Sequence, residues 1–123
     1  LAGEIEAARV KSGASCVLAP DYGTVGWLAF YLPKGSCVAQ QGQRIRWVNM
    51  PEPSPAQLSG KLLYVHELDQ PMPASVRDNF TRIETIAEAR RMRGPLVIET
   101  YALDLLEGAK GDVLDRSPPP ELQ

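Results

Sequence analysis

The spacing of apolar and polar positions divides the chain into two differently built halves. Apolar residues three or four positions apart indicate helices, whereas short continuous apolar runs are typical of buried, parallel strands. The first half contains both patterns in alternation: helix 1–12, strand 16–19, helix 22–32 and a strand from residue 37. This order predicts a right-handed strand–helix–strand unit, preceded by a helix that ends at Gly13.

In the second half, the pattern instead predicts strands that are separated by loops and short helical turns. Three prolines between residues 51 and 55 exclude helix and central strand there. The remaining predictions are a half-exposed strand at 44–48, a strand at 61–67, one or two helical turns at 73–79, and a hairpin formed by 80–90 and 96–106. Together the halves predict an α/β domain with a small mixed sheet in two or three layers. The domain covers residues 1–110, and a flexible proline-rich tail covers 111–123.

Composition limits the classes of function without selecting one. The chain has 123 residues, of which 44% are hydrophobic, so one domain with one core is expected. The formal net charge of -2 argues against a nucleic-acid partner. The chain begins with Leu1 inside a predicted helix and has no leader-like start, so we expect a fragment cut from a longer protein.

The junction between the first strand and the second helix is the candidate ligand edge. Ligands of open α/β sheets bind where strands deliver the chain to helix N-termini. The residues at this point are Asp21, Tyr22, Gly23 and Thr24. The alternative is that Asp21 only caps the helix, and its negative charge would repel a phosphate.

The second helix is apolar on two sides. One stripe, at helical spacing, should pack on the sheet; its members are Val25, Leu28, Ala29 and Leu32. Three aromatic residues, Trp27, Phe30 and Tyr31, lie on the other side. Either the N-terminal helix or the C-terminal strands cover these rings, or they form a surface for a partner.

The cysteines and the single histidine match no metal-site or nucleophile pattern, and we predict no catalytic set, no metal and no cofactor. Cys16 and Cys37 begin the two predicted strands, so if these strands are neighbours the cysteines could form a disulfide, which would place the chain outside the cytosol. The alternative is that they remain buried free thiols. His66, the only histidine, is interpreted as a half-exposed strand residue.

Arginines give the second half a basic character. They are Arg77, Arg82, Arg90, Arg91 and Arg93, interrupted by acidic residues. Such a run is either a solvated face or a contact for an anionic partner such as lipid headgroups.

Residues 16–33, from Cys16 to the Ala29-Phe30-Tyr31-Leu32-Pro33 ending of the second helix, resemble a recurrent stretch of bacterial multi-spanning membrane glycosyltransferases. These enzymes are similar to dolichyl-phosphate-mannose protein mannosyltransferases and aminoarabinose transferases. The stretch belongs to their C-terminal extracytoplasmic domain, and the hairpin at 80–106 is similar to the closing hairpin of such domains. The likeness covers the rest of the chain only loosely.

The resemblance implies that the whole protein moves a sugar from a polyprenyl-phosphate carrier to a lipid or other acceptor. Family catalytic acids lie in membrane-embedded loops, which no position here matches, so this chain would be a non-catalytic accessory domain on the periplasmic face of the inner membrane. Its partners would be the transmembrane region of the same polypeptide and, in addition, lipid headgroups or a lipid-linked sugar. The alternatives are a small ligand- or nucleotide-binding domain and a stand-alone interaction domain.

Overall fold

The computed structural model describes residues 1–20, 22–41 and 55–111. The elements in these ranges are α1 (Ala2–Ser12), β1 (Cys16–Ala19), α2 (Tyr22–Tyr31), β2 (Val38–Gln40), α3 (Pro55–Leu58), β3 (Leu62–Glu67), α4 (Ala74–Arg77), β4 (Phe80–Arg93) and β5 (Leu96–Ala109). The strand predicted at 44–48, the proline loop up to residue 54 and the tail from residue 112 lie outside the described residues. Pro55 begins α3, so the exclusion of helix at residue 55 was wrong, because proline is compatible with the first position of a helix.

The strands form one five-stranded mixed sheet in the order β2-β1-β3-β5-β4. β1 pairs in parallel with β2 on one side and with β3 on the other. β5 runs antiparallel to both β3 and β4. The predicted α/β class is therefore confirmed, with a strand–helix–strand first half and an antiparallel hairpin at the C-terminal end.

Helices cover both faces of the sheet, which makes three layers. Alternation along the strands sends Val17 to one face and Leu18 to the other. The first face packs against α1 and α2 through fully buried Ile5 and Leu28. The second face packs against the short helices α3 and α4. As predicted, α1 ends at Gly13, which adopts φ 76°, a left-handed conformation that suits glycine.

The apolar stripe of α2 is narrower than the sequence predicts. Val25, Leu28 and Leu32 are buried on the sheet, but Ala29 is exposed. At about 100° per residue, Ala29 lies on the flank of the stripe opposite Leu28. The sheet covers the Leu28 flank, so the Ala29 flank faces solvent.

A disulfide joins Cys16, the first residue of β1, to Cys37, which directly precedes β2. Their Cα atoms are 4.7 Å apart. The Val17 N–H also donates to the Cys37 carbonyl at 2.9 Å, so the bridge continues the parallel pairing of the two strands. Of the two alternatives that the sequence leaves open, the structure has the bridged form, and Cys16 is fully buried.

The β4–β5 ladder contains two register shifts, between Thr85 and Ala87 and between Arg91 and Met92. At the first shift, Ile86 is an extra residue, a β-bulge. Thr85 is thereby opposite Asp104 on one face, while Ala89 is fully buried on the opposite face. Without the bulge, period-2 alternation would put both residues on one face.

The disulfide should contribute measurably to stability. Because it closes a loop with a sequence separation of 21 residues, its reduction is expected to lower the free energy of unfolding by about 3 kcal/mol. Urea unfolding of the oxidised and reduced chain measures this difference. The double variant Cys16→Ala, Cys37→Ala is the control, since reductant should not change its unfolding. Equal unfolding midpoints for the oxidised and reduced chain would contradict the expectation.

Candidate functional site

An open cleft of about 570 Å³ lies at the carboxyl ends of β1 and β3. Pro20, which follows β1, and His66, near the end of β3, line it. The first turn of α2 forms one wall and the loop from Glu67 to Pro73 the opposite wall. The cleft therefore extends from one face of the sheet to the other, across the carboxyl ends of β1 and β3.

The sheet topology explains why a cleft forms at this position. α2 leaves β1 toward β2 on one face of the sheet, whereas Leu58 of α3, which precedes β3, packs on the opposite face. Elements on opposite faces thus diverge between the neighbouring strands β1 and β3. Such a switch point, at the carboxyl ends of parallel strands, is where open α/β sheets bind ligands.

Two of the four predicted ligand-edge residues line this cleft. Gly23 is exposed there and Thr24 is half-buried. Tyr22 is the first residue of α2, and its side chain lies outside the described part of the structure. Asp21, with its predicted capping role, lies outside the described residues altogether.

The three aromatic residues of α2 have different surroundings. Trp27 is half-buried and lines the cleft, with its ring centroid 6.4 Å from that of Tyr101 in β5. Phe30 and Tyr31 are 78% and 64% exposed, and their rings contact each other at 4.9 Å. Coverage by a C-terminal strand therefore applies to Trp27, while Phe30 and Tyr31 remain an exposed aromatic pair.

A polar group that the sequence interpretation missed lies below the cleft; its members His66 and Asp104 are buried and Thr85 is exposed. His66 Nε2 is 2.8 Å from Asp104 Oδ2, and the Thr85 hydroxyl donates to Asp104 Oδ1 at 2.6 Å. Strand register brings them together: Thr85 is directly opposite Asp104, and His66 is its diagonal neighbour on β3. We name these three residues the polar triad. The sequence does contain a signal for this group, because Asp104 is a carboxylate within an otherwise apolar strand segment.

His66 is 9% exposed, so the prediction that it is half-exposed was wrong. Its second ring nitrogen, Nδ1, lies 2.8 Å from the Gln70 carbonyl and 3.0 Å from the Glu67 carbonyl. Carbonyl oxygens only accept, so Nδ1 donates to them; Nε2 donates to Asp104 when that carboxyl group is ionised, and the ring is then an imidazolium. The ring thereby ties the loop that forms one cleft wall to the sheet.

The pKa shifts within the polar triad agree with this ionic form. The hydrogen bond to Asp104 raises the pKa of His66, against the opposing effect of burial. Burial raises the pKa of Asp104, but the hydrogen bonds from His66 and Thr85 outweigh it and leave that pKa below its ordinary value. An imidazolium with both N–H groups engaged is a positioning group, and in this form it cannot accept a proton as a general base.

Tyr101 and Glu99 of β5 form another hydrogen-bonded pair in the cleft. The Tyr101 hydroxyl donates to Glu99 Oε2. Burial raises the pKa of Tyr101, and the neighbouring Glu99 carboxylate adds to the shift, so the phenol stays protonated. Arg91 Nη1 lies 3.9 Å from the other Glu99 oxygen. The cleft thus combines two aromatic rings with paired charges.

The described residues contain neither a cluster of metal ligands nor a helix that could span a membrane. No three His, Cys, Asp or Glu side chains among them converge in the way a metal ion requires. None of the helices described is both long and apolar enough to cross a bilayer.

The polar triad should make stability depend on pH. Because the pKa of His66 is raised from 6.5, its stabilisation is complete below pH 6.5 and is lost as pH rises through the folded value. Because the pKa of Asp104 is lowered from 3.8, its stabilisation is complete above pH 3.8 and is lost as pH falls through the folded value. The free energy of unfolding should therefore decline above pH 6.5, as urea unfolding at a series of pH values can measure.

Asp104→Asn should abolish that decline and, at pH 6, lower the free energy of unfolding by about 3 kcal/mol, because it leaves a buried charge unpaired. The matched control is Asp78→Asn, whose carboxylate is 73% exposed beside Arg77. It should change stability by less than about 0.5 kcal/mol. The same pH slope in the Asp104 variant and the parent would contradict the ion-paired assignment.

Comparison with known proteins adds no family to this description. No family model matches the chain, and neither a curated protein nor a solved structure does. The resemblance of residues 16–33 to membrane glycosyltransferases therefore stays a prediction, and the chain's own residues carry the functional conclusion.

Proposed function

We propose that this chain is a non-catalytic extracytoplasmic accessory domain of a bacterial membrane glycosyltransferase, on the periplasmic face of the inner membrane. The supporting observation is the disulfide-bridged unit β1–α2–β2. The segment that resembles the glycosyltransferase domains is one structural unit, with Cys16 at its start and Cys37 just beyond its end. Disulfides form and persist in oxidising compartments, which fits a domain outside the cytosol.

The chemistry of the cleft is consistent with an accessory role. Its one histidine is engaged at both ring nitrogens and holds the cleft wall in place. In the proposed whole protein, sugar moves from a polyprenyl-phosphate carrier to its acceptor in the membrane-embedded part. This domain would dock on that part through the exposed pair Phe30 and Tyr31.

The coding sequence upstream of Leu1 tests this proposal directly. We expect it to encode several apolar spans of about 20 residues. A short upstream sequence without such spans would contradict the proposal.

In the full-length protein, the double variant Phe30→Ser, Tyr31→Ser should lower sugar transfer from a polyprenyl-phosphate donor at least about ten-fold, because truncating central aromatic anchors costs about 2 kcal/mol or more. Washed membranes and a radiolabelled donor give the measurement. The control is Val10→Ser, which changes a 63% exposed apolar residue on α1. Equal activity of the aromatic variant and this control would argue against docking through α2.

The cleft at the switch point favours a second candidate, a small-ligand-binding domain. Trp27 lines the cleft, so a ligand there should change tryptophan fluorescence. Titration with nucleotides, sugar phosphates and uncharged sugars tests it, with Trp27→Phe as the control that should lose the response. No saturable change for any ligand up to about 1 mM, the weak end of specific affinity, would remove this candidate.

A further inference from the structure

The β4–β5 hairpin extends beyond the rest of the sheet. β3 ends at Glu67, which pairs with Tyr101, and the last link beyond it is the Leu68 N–H donating to the Thr100 carbonyl at 2.9 Å. Farther out, β4 is the one strand of the described residues that pairs with β5. The ribbon closes through Gly94, at φ 58°, and Pro95, a two-residue turn with glycine first. We name residues 90–98 the hairpin tip.

The hairpin tip is unusually apolar for an exposed ribbon. It holds four of the eight large apolar side chains that are exposed in the described part of the chain: Met92 (50%), Leu96 (69%), Val97 (50%) and Ile98 (48%). Met92 and Val97 are cross-strand partners. Two-stranded ribbons without a third strand are marginal in water, so such a concentration of exposed apolar surface indicates a binding partner.

Charge identifies the chemistry of that partner. The hairpin tip carries three arginines, Arg90, Arg91 and Arg93, and no acidic residue, although the whole chain has a net charge of -2. Glu88 and Glu99, which flank the tip along the chain, contact Arg90 and Arg91 at 3.8 and 3.9 Å. Exposed pairs of this kind contribute little and leave the guanidinium groups accessible.

Apolar side chains beside arginines match the boundary between headgroups and acyl chains of a bilayer. The apolar groups enter the acyl region, and guanidinium groups form paired hydrogen bonds with phosphate oxygens. Four residues per strand give the tip a length of about 13 Å. That length suffices for the roughly 5–10 Å depth at which interfacial segments are buried.

We propose that the hairpin tip docks this domain onto a bilayer surface that contains anionic phospholipid. Glu88 and Glu99 lie at the boundary of the hairpin tip, so the ribbon enters the bilayer surface up to these two carboxylates. This proposal goes beyond the glycosyltransferase assignment and does not depend on it, because the domain by itself should bind vesicles. A second copy of the chain, paired through the edge strand β4, is the competing occupant.

Flotation of the 123-residue chain with vesicles tests the proposal. We expect at least about ten-fold tighter binding to phosphatidylcholine vesicles with about 30% phosphatidylglycerol than to pure phosphatidylcholine, since each arginine near an anionic surface adds about five-fold. Arg93→Gln should weaken binding about five-fold. Leu96→Ser with Val97→Ser should weaken it at least about ten-fold, because it removes the inserted apolar groups.

Two matched controls should bind like the parent chain. Arg82→Gln removes an exposed arginine from the far end of β4, and Val10→Ser removes an exposed apolar group from the end of α1. Thermal unfolding establishes that every variant is folded. Absence of binding to anionic vesicles, or equal losses in tip and control variants, would overturn the proposal. Concentration-dependent dimerisation that the tip variants abolish, without vesicle binding, would also overturn it and assign the tip to self-association.

Discussion

The buried carboxylate of Asp104 is the interaction on which the second half of the fold depends. A carboxylate inside a sheet loses its hydration, so it is tolerated only with hydrogen-bonding and charged partners. Thr85 and His66 provide them from the two neighbouring strands. The antiparallel strands β3, β5 and β4 are therefore fixed in one register, since a one-residue slip of β5 would remove both partners from the carboxylate.

The same interaction extends from the sheet to the cleft. His66 uses one nitrogen for Asp104 and the other for the loop after β3. The loop that forms this cleft wall is thus held by the charged ring of His66, and Asp104 in turn holds that ring in the sheet. The disulfide lies at the opposite edge, where β1 and β2 begin. The disulfide therefore lies at the amino ends of the parallel strands. The candidate binding features, namely the cleft and the hairpin tip, lie at the opposite end.

Much of the fold could be predicted because local patterns determine it. The α2 stripe, the Gly13 stop and the two long strands follow from periodicity and turn chemistry within short windows. The burial of His66 could not be predicted in this way. It depends on Asp104, 38 residues farther along the chain, and on the register of two strands.

Other sequence predictions were incomplete, because a sequence pattern does not show which element of the fold covers a given side chain. Helical spacing places Ala29 with its apolar neighbours, but only contact with the sheet decides which flank of α2 is buried. The aromatic residues show the same limit, since Trp27 meets Tyr101 while Phe30 and Tyr31 meet solvent. The cleft forms between elements distant in sequence, so residue spacing could indicate its position near Gly23 and Thr24 but not its far wall.

The bulge at Ile86 has a consequence for how this chain can change in length. Because Ile86 is the extra residue, everything after it in β4 faces the opposite way from what simple alternation would give. Deletion of Ile86 alone would leave Thr85 opposite Asp104 and Ala89 opposite Tyr101, so the ladder would become regular and both side chains would keep their present faces. Ile86 is therefore the position at which β4 can lose one residue without turning a buried side chain to the opposite face, and the Gly94-Pro95 turn is a position at which the hairpin can gain length.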